Sequence, residues 1–268
     1  MKKSIVKKWY RLLRFPIEYD ERFYALLDSI DCTRFTSVTS YDETQYSPIE
    51  NLFAFLYFCE DLELRYQRQG IPQTVLFDTL QDIVIWTSVH LSVHGELGLS
   101  EISWLKRHLS FRLFKLGRLQ YCMAHSEFDI PSVNLKKGEP VVEVHIPEGE
   151  SLLLEKCQSS LALAQAFFAQ YFPDYAYDYY TCHSWLLAPS VLAIIDKTSN
   201  IANFQTLFHL AHNDISDALL RYTFRWDTTR ENLNDFPAKS SLAKAIKAEI
   251  EKGTLFHETL GYIPKNSL

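Results

Sequence analysis

The sequence predicts an α+β protein in which an all-α N-terminal domain precedes an α/β C-terminal domain. Up to about residue 117, apolar residues recur at spacings of three and four, which is the period of an amphipathic helix. From Arg118 onward, stretches of alternating apolar residues appear, separated by helical segments. Helices followed by alternating strands and helices are typical of such a two-part architecture. We therefore predict domains at residues 1–117 and 118–268, without a low-complexity linker between them.

Four helices are predicted in the N-terminal half. The signals are strongest at 47–70, because Ser47 suits an N-cap, Pro48 suits the first helical position and Gly70 suits a C-terminal stop. Proline, serine or glycine marks the ends of two of the other segments in the same way. The predicted helices span residues 20–30, 47–70, 71–95 and 100–117.

The C-terminal half is predicted to alternate between strands and helices. Its strands are rich in valine, tyrosine and phenylalanine, and the proline, glycine and charged residues at 127–140 predict a loop or hairpin. The predicted strands span 118–123, 141–147, 175–187 and 203–212, and the predicted helices span 152–170 and 240–253.

Composition narrows the class of protein. The chain has 268 residues, 47% of them hydrophobic, and a net charge of −6, so a broad basic surface for nucleic acid or anionic lipid is not expected. The basic start MKKSIVKKWYRLLRFP is interrupted by charges before an apolar signal-peptide core forms, and no other segment suits a membrane span. We expect a cytoplasmic protein without nucleic-acid or membrane partners. The sequence leaves its oligomeric state open.

Cysteine and histidine spacing does not favour a metal site. The five cysteines contain no C-x-x-C pair, so neither a disulfide framework nor a zinc knuckle is predicted. His90 and His94 have the spacing that places two ligands on one helical face, but the glutamate of an H-E-x-x-H motif is missing. We predict no bound metal.

The stretch EPVVEVHIPEGESLLLEKCQSSL, residues 139–161, contains the main candidate for chemistry. It reads as a strand that breaks at a turn and continues as a helix, and ligands often bind at such junctions. His145 follows Val144 and is predicted to share the face of Glu143. A neutral imidazole there can deprotonate an attacking amine. The alternative is a histidine that fixes the junction by hydrogen bonding.

The adjacent Cys182 and His183 form a second candidate. A cysteine thiolate is a nucleophile when a nearby base activates it. Neighbours in a strand point to opposite faces, however, so His183 cannot activate Cys182 directly without a bulge. If this strand pairs with the one that carries His145, the two histidines are predicted to face one cleft at its opening.

Five stretches of the sequence resemble those of a known family. LGLSEISWLKRHLSFRLFKLGRLQY (97–121), VHIPEGESL (144–152), FFAQYFPDY (167–175), CHSWLL (182–187) and SNIANFQ (199–205) are similar to signature stretches of bacterial acyltransferase-domain proteins. That family has a helical N-acyltransferase-like domain followed by a GNAT-like domain. The resemblance implies a mixed sheet with VVEVHIP as the central strand and the strand of CHSWLL splaying from it.

The resemblance also implies a donor site. An acyl-CoA or acetyl-CoA pyrophosphate would meet the loop before the helix, formed by Pro147, Glu148, Gly149, Glu150, Ser151 and Leu152. Ser199 and Asn200 would border the same cleft, although a helix cap or an Asx-turn also explains them. GNAT loops usually read Q/R-x-x-G-x-G/A, whereas this loop has one glycine and two carboxylates. Arg112, Lys115 or Arg118 would then grip the anionic donor, or else lie on a solvated face.

The implied activity is transfer of an acyl group from acyl-CoA to an amine of a small molecule or a protein. The acidic loop favours an alternative, a GNAT-like scaffold without catalysis that binds a small ligand or a partner protein. A third reading is a helical adaptor that uses the N-terminal half alone.

Overall fold

The computed structural model describes residues 2–268. The chain divides into two compact units, Met1–Leu116 and Gly117–Leu268. The first unit is helical and ends in one short strand, and the second contains a five-stranded sheet with helices. The order of helices and strands is α+β, as predicted.

In the first unit, the predicted helices at 20–30, 47–70 and 71–95 are confirmed to within two residues. Ser47 and Glu50 form a reciprocal capping box at the start of the third helix, and Gly70 ends it in the left-handed conformation with φ of 71°. The basic N-terminal segment is also helical. The elements are α1 Lys2–Leu12, α2 Asp20–Ser29, α3 Pro48–Gln69, α4 Gln73–His94, α5 Ile102–Leu109 and β1 Leu113–Leu116.

The predicted helix at 100–117 is wrong in its second half. α5 ends at Leu109, and Phe111 takes a positive φ of 60° that no helix continues. The amide of Lys115 donates a hydrogen bond of 2.8 Å to Thr79 Oγ1 of α4, so that amide is not part of a helical ladder. Ser100 does not cap the helix, because its hydroxyl bonds Nδ1 of His90 at 2.7 Å.

A mixed sheet in the order β2-β3-β4-β6-β5 organises the second unit. β3 and β4 are parallel, and the other neighbours are antiparallel. The parallel pair is connected through α6, as a crossover requires. The elements are β2 Leu119–His125, β3 Pro140–His145, α6 Leu154–Tyr171, β4 Tyr179–Ser184, α7 Pro189–Leu192, α8 Asn200–Gln205, β5 His209–Ile215, α9 Ala218–Thr223, α10 Ser241–Glu251 and β6 His257–Pro264.

Three strand predictions need correction. The strand predicted at 175–187 is β4 alone, because the Ser184 hydroxyl accepts the amide of Leu186 and begins a 3₁₀ turn. The strand predicted at 203–212 begins as the helix α8 and becomes β5 only at His209. The sequence prediction also missed β6, which pairs with both β4 and β5. Within residues 2–268, the helices are all too short or too polar to cross a bilayer.

Candidate functional site

β3 and β4 separate where the candidate residues lie. Their register contains only two pairs, Val142 with Tyr180 and Glu143 with Thr181. Beyond these pairs each strand continues along its other neighbour. His145 lies opposite Gln120 of β2, and Ser184 of β4 lies opposite Thr259 of β6. The strands therefore diverge, and the backbone edges that face each other past Glu143 and Thr181 do not pair with one another.

His145 lies at the end of β3, beside this opening. Its Nε2 is 3.2 Å from Oε2 of Glu143, which occupies the same face two residues earlier. The two side chains are 27% and 19% exposed, so both are partly shielded from water yet accessible to a ligand. When Nε2 carries the proton and donates to Glu143, Nδ1 carries the lone pair that a base requires. The carboxylate thereby fixes the ring orientation and the tautomer.

His183 shares the face of His145, as the parallel register of β3 and β4 requires. Its Nε2 is 3.5 Å from Oδ2 of Asp214 on β5, and the other oxygen of this carboxylate is 3.0 Å from Nε2 of His212. The ring of Phe128 lies 5.3 Å from both imidazoles, between ring centroids. His183 is therefore held by a carboxylate and an aromatic ring. Sequence spacing gave no signal for Phe128 or Asp214.

Cys182 points to the opposite face and is 1% exposed. Burial raises the pKa of its thiol well above the usual range, and the charges of Glu143 and Glu258 raise it further. The thiol therefore stays protonated at neutral pH. This geometry argues against Cys182 as a thiolate nucleophile, and it is better described as a core residue.

The loop after β3 presents its acidic residues to solvent. Pro147 and Leu152 are buried, whereas Glu148, Gly149, Glu150 and Ser151 are exposed. Gly149 has a φ of +117°, which side-chain-bearing residues rarely adopt, so glycine suits this position. Oε2 of Glu150 lies 2.8 Å from Nζ of Lys156 in α6, so the negative charge of this glutamate is paired.

Arg118 supports the loop from within the protein. Its side chain is buried, and its Nη1 and Nε donate hydrogen bonds of 3.0 and 3.2 Å to the carbonyl oxygens of Pro147 and Ser151. Burial lowers the pKa of Arg118, although a guanidinium remains protonated at neutral pH. Arg118, one of the three basic residues singled out in the sequence, thus contacts the loop.

The N-terminus of α6 follows directly. Leu153 occupies the N-cap position, and no side chain caps the helix. The first amides of α6 therefore lack intrahelical acceptors and face the end of the loop, where a helix favours negative charge.

Ser199 and Asn200 have a local role in the structure. The Ser199 hydroxyl accepts the amide of Ala202 at 3.2 Å and caps α8, in which Asn200 is the first residue. Among residues 2–268, no hydrogen bond joins either residue to the 147–152 loop. Their place in a ligand cleft stays a prediction.

Metal ligation has no support in the described part of the chain, where no three histidine, cysteine or acidic side chains are grouped to hold an ion. The rings of His90 and His94 are 4.4 Å apart between centroids. They lie in the helical unit, where burial lowers the pKa of His90.

Comparison with known proteins gives the following matches. A family model described as a GNAT-like C-terminal domain matches residues 113–263, and one described as an N-acyltransferase N-terminal domain matches residues 6–111. Among curated proteins, no relative with a matching sequence was found.

Solved acyltransferase structures share the fold. One, in complex with decanoyl-CoA and teicoplanin, has a TM-score of 0.81 and 22% identity, over 97% of this chain and 87% of that chain. The same values hold for an acyltransferase mutant with octanoyl-CoA and for an acyltransferase with CoA and 10C-teicoplanin.

Proposed function

The chain belongs to the family defined by a GNAT-like C-terminal domain, and on that premise we propose that it transfers an acyl group from an acyl-CoA to an amine. The resemblance read from the sequence and the predicted α+β fold are both confirmed. The proposal rests above all on the separation of β3 and β4 past Glu143 and Thr181. An extended ligand with amide groups can insert between two such edges and bond to their backbone.

The residues of this chain fit a CoA ester. The uncapped α6 N-terminus and the 147–152 loop suit a pyrophosphate, because both present backbone amides and the loop carboxylate of Glu150 is paired with Lys156. The loop follows β3 closely, and His145, two residues before Pro147, lies beside the opening between the strands. A donor that lies along it would bring its thioester close to the imidazole.

The protein has two tasks in this reaction. It aligns the acyl donor with the amine, and it removes one proton from the amine. The donor supplies an activated acyl carbonyl, and the amine nitrogen forms a new C–N bond as the C–S bond breaks. His145 accepts the proton that the attacking amine loses, and Glu143 stabilises the imidazolium that results. The leaving thiolate then takes up one proton, so the products are an amide and the free thiol. We propose that His183, which lies on the same face and next to Asp214, contacts the acceptor.

The ligands of the related structures suggest which donors and acceptors to test first. Those structures hold octanoyl, decanoyl and CoA ligands and teicoplanin, so we propose a medium-chain donor and a small-molecule amine acceptor, with a protein amine as the alternative. A cytoplasmic location is part of the proposal, and the five free, buried cysteines are compatible with a reducing compartment.

Thermal unfolding with acetyl-, octanoyl- and decanoyl-CoA tests the proposal. A ligand at about a hundred times its dissociation constant adds about 2.7 kcal/mol of stability, and the midpoint of unfolding rises visibly. We expect such a rise with at least one donor, followed by release of free CoA when a panel of amines that includes teicoplanin is added. No shift with any donor would overturn the proposal. A shift without CoA release for any amine would favour the scaffold that binds but does not catalyse.

A further inference from the structure

The loop that would receive the pyrophosphate contains no basic residue, but a buried cation lies against it. Arg118 is only 6% exposed, and it donates hydrogen bonds to two loop carbonyls, those of Pro147 and Ser151. Among residues 2–268, no carboxylate forms an ion pair with Arg118. The buried guanidinium is therefore stabilised by these two backbone carbonyls, and the nearby charge of Glu150 also favours its protonated form.

These two hydrogen bonds determine where the loop amides point. In a trans peptide, the carbonyl of one residue and the N–H of the next point in opposite directions, and residues 2–268 contain no cis peptide. With the Pro147 and Ser151 carbonyls turned toward Arg118, the N–H groups of Glu148 and Leu152 point away from it. Neither amide has a hydrogen-bond partner among the described residues. Two free donors at the ends of the loop are thus aimed to the side opposite the guanidinium.

An anion bound on that side would be stabilised both by the free amides and by the positive charge of Arg118. The amides of Glu148 and Leu152 offer two hydrogen-bond donors to an anion, and the uncapped first turn of α6 adds further amides. The guanidinium adds a positive charge beneath the loop, and its own burial reduces the screening of that charge by water. This arrangement offsets the carboxylates of Glu148 and Glu150, which remain on the exposed part of the loop.

We propose that Arg118, the residue immediately before β2, is the positioning residue for the pyrophosphate of the CoA donor. It fixes the amides of the 147–152 loop toward the phosphates and supplies the positive charge that the loop sequence lacks. The inference rests on the proposed function, since it concerns the donor site of the same reaction.

Variants of Arg118 test this role. Arg118→Met removes the charge and both hydrogen bonds, and Arg118→Lys keeps the charge but lacks the fork that reaches two carbonyls. Lys244→Met, on the exposed side of α10, makes the same change in net charge away from the loop. Calorimetry would compare decanoyl-CoA with decanoyl-pantetheine, which has the same acyl chain but no phosphates.

We expect Arg118→Met to bind decanoyl-CoA about tenfold to a hundredfold more weakly, the range for loss of charge-assisted hydrogen bonds. Decanoyl-pantetheine should bind wild type and variant alike, and Lys244→Met should match wild type for both ligands. Arg118→Lys should fall between. Equal losses for the two ligands, or no loss for either, would overturn the inference.

Loop order gives a readout that does not depend on catalysis or donor binding. ¹⁵N relaxation of the Gly149 amide should show an ordered loop in the wild-type protein and an order parameter below about 0.6 in Arg118→Met. If the wild type fails to bind decanoyl-CoA but the loop still loses order, the proposed function fails and the structural part of the inference stands. A loop that stays ordered without Arg118 overturns the positioning role, and an unchanged near-ultraviolet circular dichroism spectrum shows that the variant is folded.

Discussion

Nε2 of His145 lies 3.2 Å from Oε2 of Glu143, two residues earlier on the same strand. Strand geometry produces this pair directly, because residues two apart share a face of the sheet. The pair lies where β3 leaves β4, so the imidazole is held by a carboxylate on one side and adjoins an opening on the other. A base that is oriented before substrate arrives loses less free energy to rearrangement in the transition state.

His145→Gln should reduce kcat about a hundredfold or more, since general-base catalysis typically contributes a factor of 10²–10⁴. Glutamine keeps the polarity and much of the volume of histidine but cannot accept the proton. The dissociation constant of decanoyl-CoA should change less than about twofold, because His145 acts on the amine. Stopped-flow detection of released CoA and calorimetry measure the two quantities. His125→Gln, at the exposed end of β2, is the matched control.

Glu143→Gln should also reduce kcat, but by less than His145→Gln, and the double variant should be no worse than His145→Gln alone. This follows because Glu143 acts through the imidazole, and effects of residues that act as one unit are not additive. Additive losses in the double variant would show that Glu143 has a separate role and would contradict the dyad.

Cys182→Ala should retain most of the turnover of the wild-type enzyme. The thiol is buried on the face opposite His183, and its raised pKa keeps it protonated at neutral pH. For the same reason iodoacetamide should not label Cys182 in the folded protein at pH 7, whereas it should label it in urea, as mass spectrometry of the peptides would show. Rapid labelling of the native protein together with loss of turnover would restore the covalent mechanism.

The sequence predicted most helices because their ends carry local signals. The capping box of Ser47 with Glu50 and the left-handed Gly70 depend on residues only a few positions apart. The segment after Leu109 was predicted wrongly because its apolar spacing also fits a helix. The Lys115 amide instead donates a hydrogen bond to Thr79, 36 positions away, which favours a strand over a helix. Local periodicity does not reveal such a long-range contact.

Only part of the candidate site could be predicted, because some of its contacts also join residues that are far apart in the sequence. Alternation within a strand placed His145 and Glu143 on one face, and the register between strands agrees with the shared face of His145 and His183. Asp214 reaches His183 only because β6, which the sequence prediction missed, pairs with both β4 and β5. Arg118 stood out as a basic residue, but its inward orientation under the loop depends on tertiary packing.

Lys156→Met should weaken decanoyl-CoA binding about twofold to fivefold. The ion pair of Lys156 with Glu150 is exposed, and exposed pairs contribute about 0.2–1 kcal/mol. Its loss removes the positive charge next to Glu150, so the proposed pyrophosphate would meet a less compensated carboxylate. The variant Lys156→Met with Glu150→Gln should regain part of the affinity, and added salt should reduce the difference. If the double variant binds more weakly than Lys156→Met, then Glu150 does not repel the donor and the charge argument fails.

Gly261→Ala should destabilise the second unit by about 1–3 kcal/mol, the usual effect of overpacking. Gly261 pairs with Cys182 between β6 and β4, and a Cβ there would lie 2.8 Å from Cδ1 of Leu187 and 2.9 Å from Cβ of Phe208. Both distances are shorter than van der Waals contact, so the segment after β4 would have to shift.

Urea unfolding of the variants of a double-mutant cycle tests whether the Cβ at position 261 clashes with Leu187. In the Leu187→Ala background the shorter side chain leaves room, so Gly261→Ala should cost less than in the wild type, although Phe208 still limits the space. Because the strain arises where the chain leaves β4 next to the opening, Gly261→Ala should also weaken decanoyl-CoA binding while the protein remains folded. Equal costs in both backgrounds would contradict the packing of Leu187 against Gly261, and with it the position of the chain just beyond the separated strands.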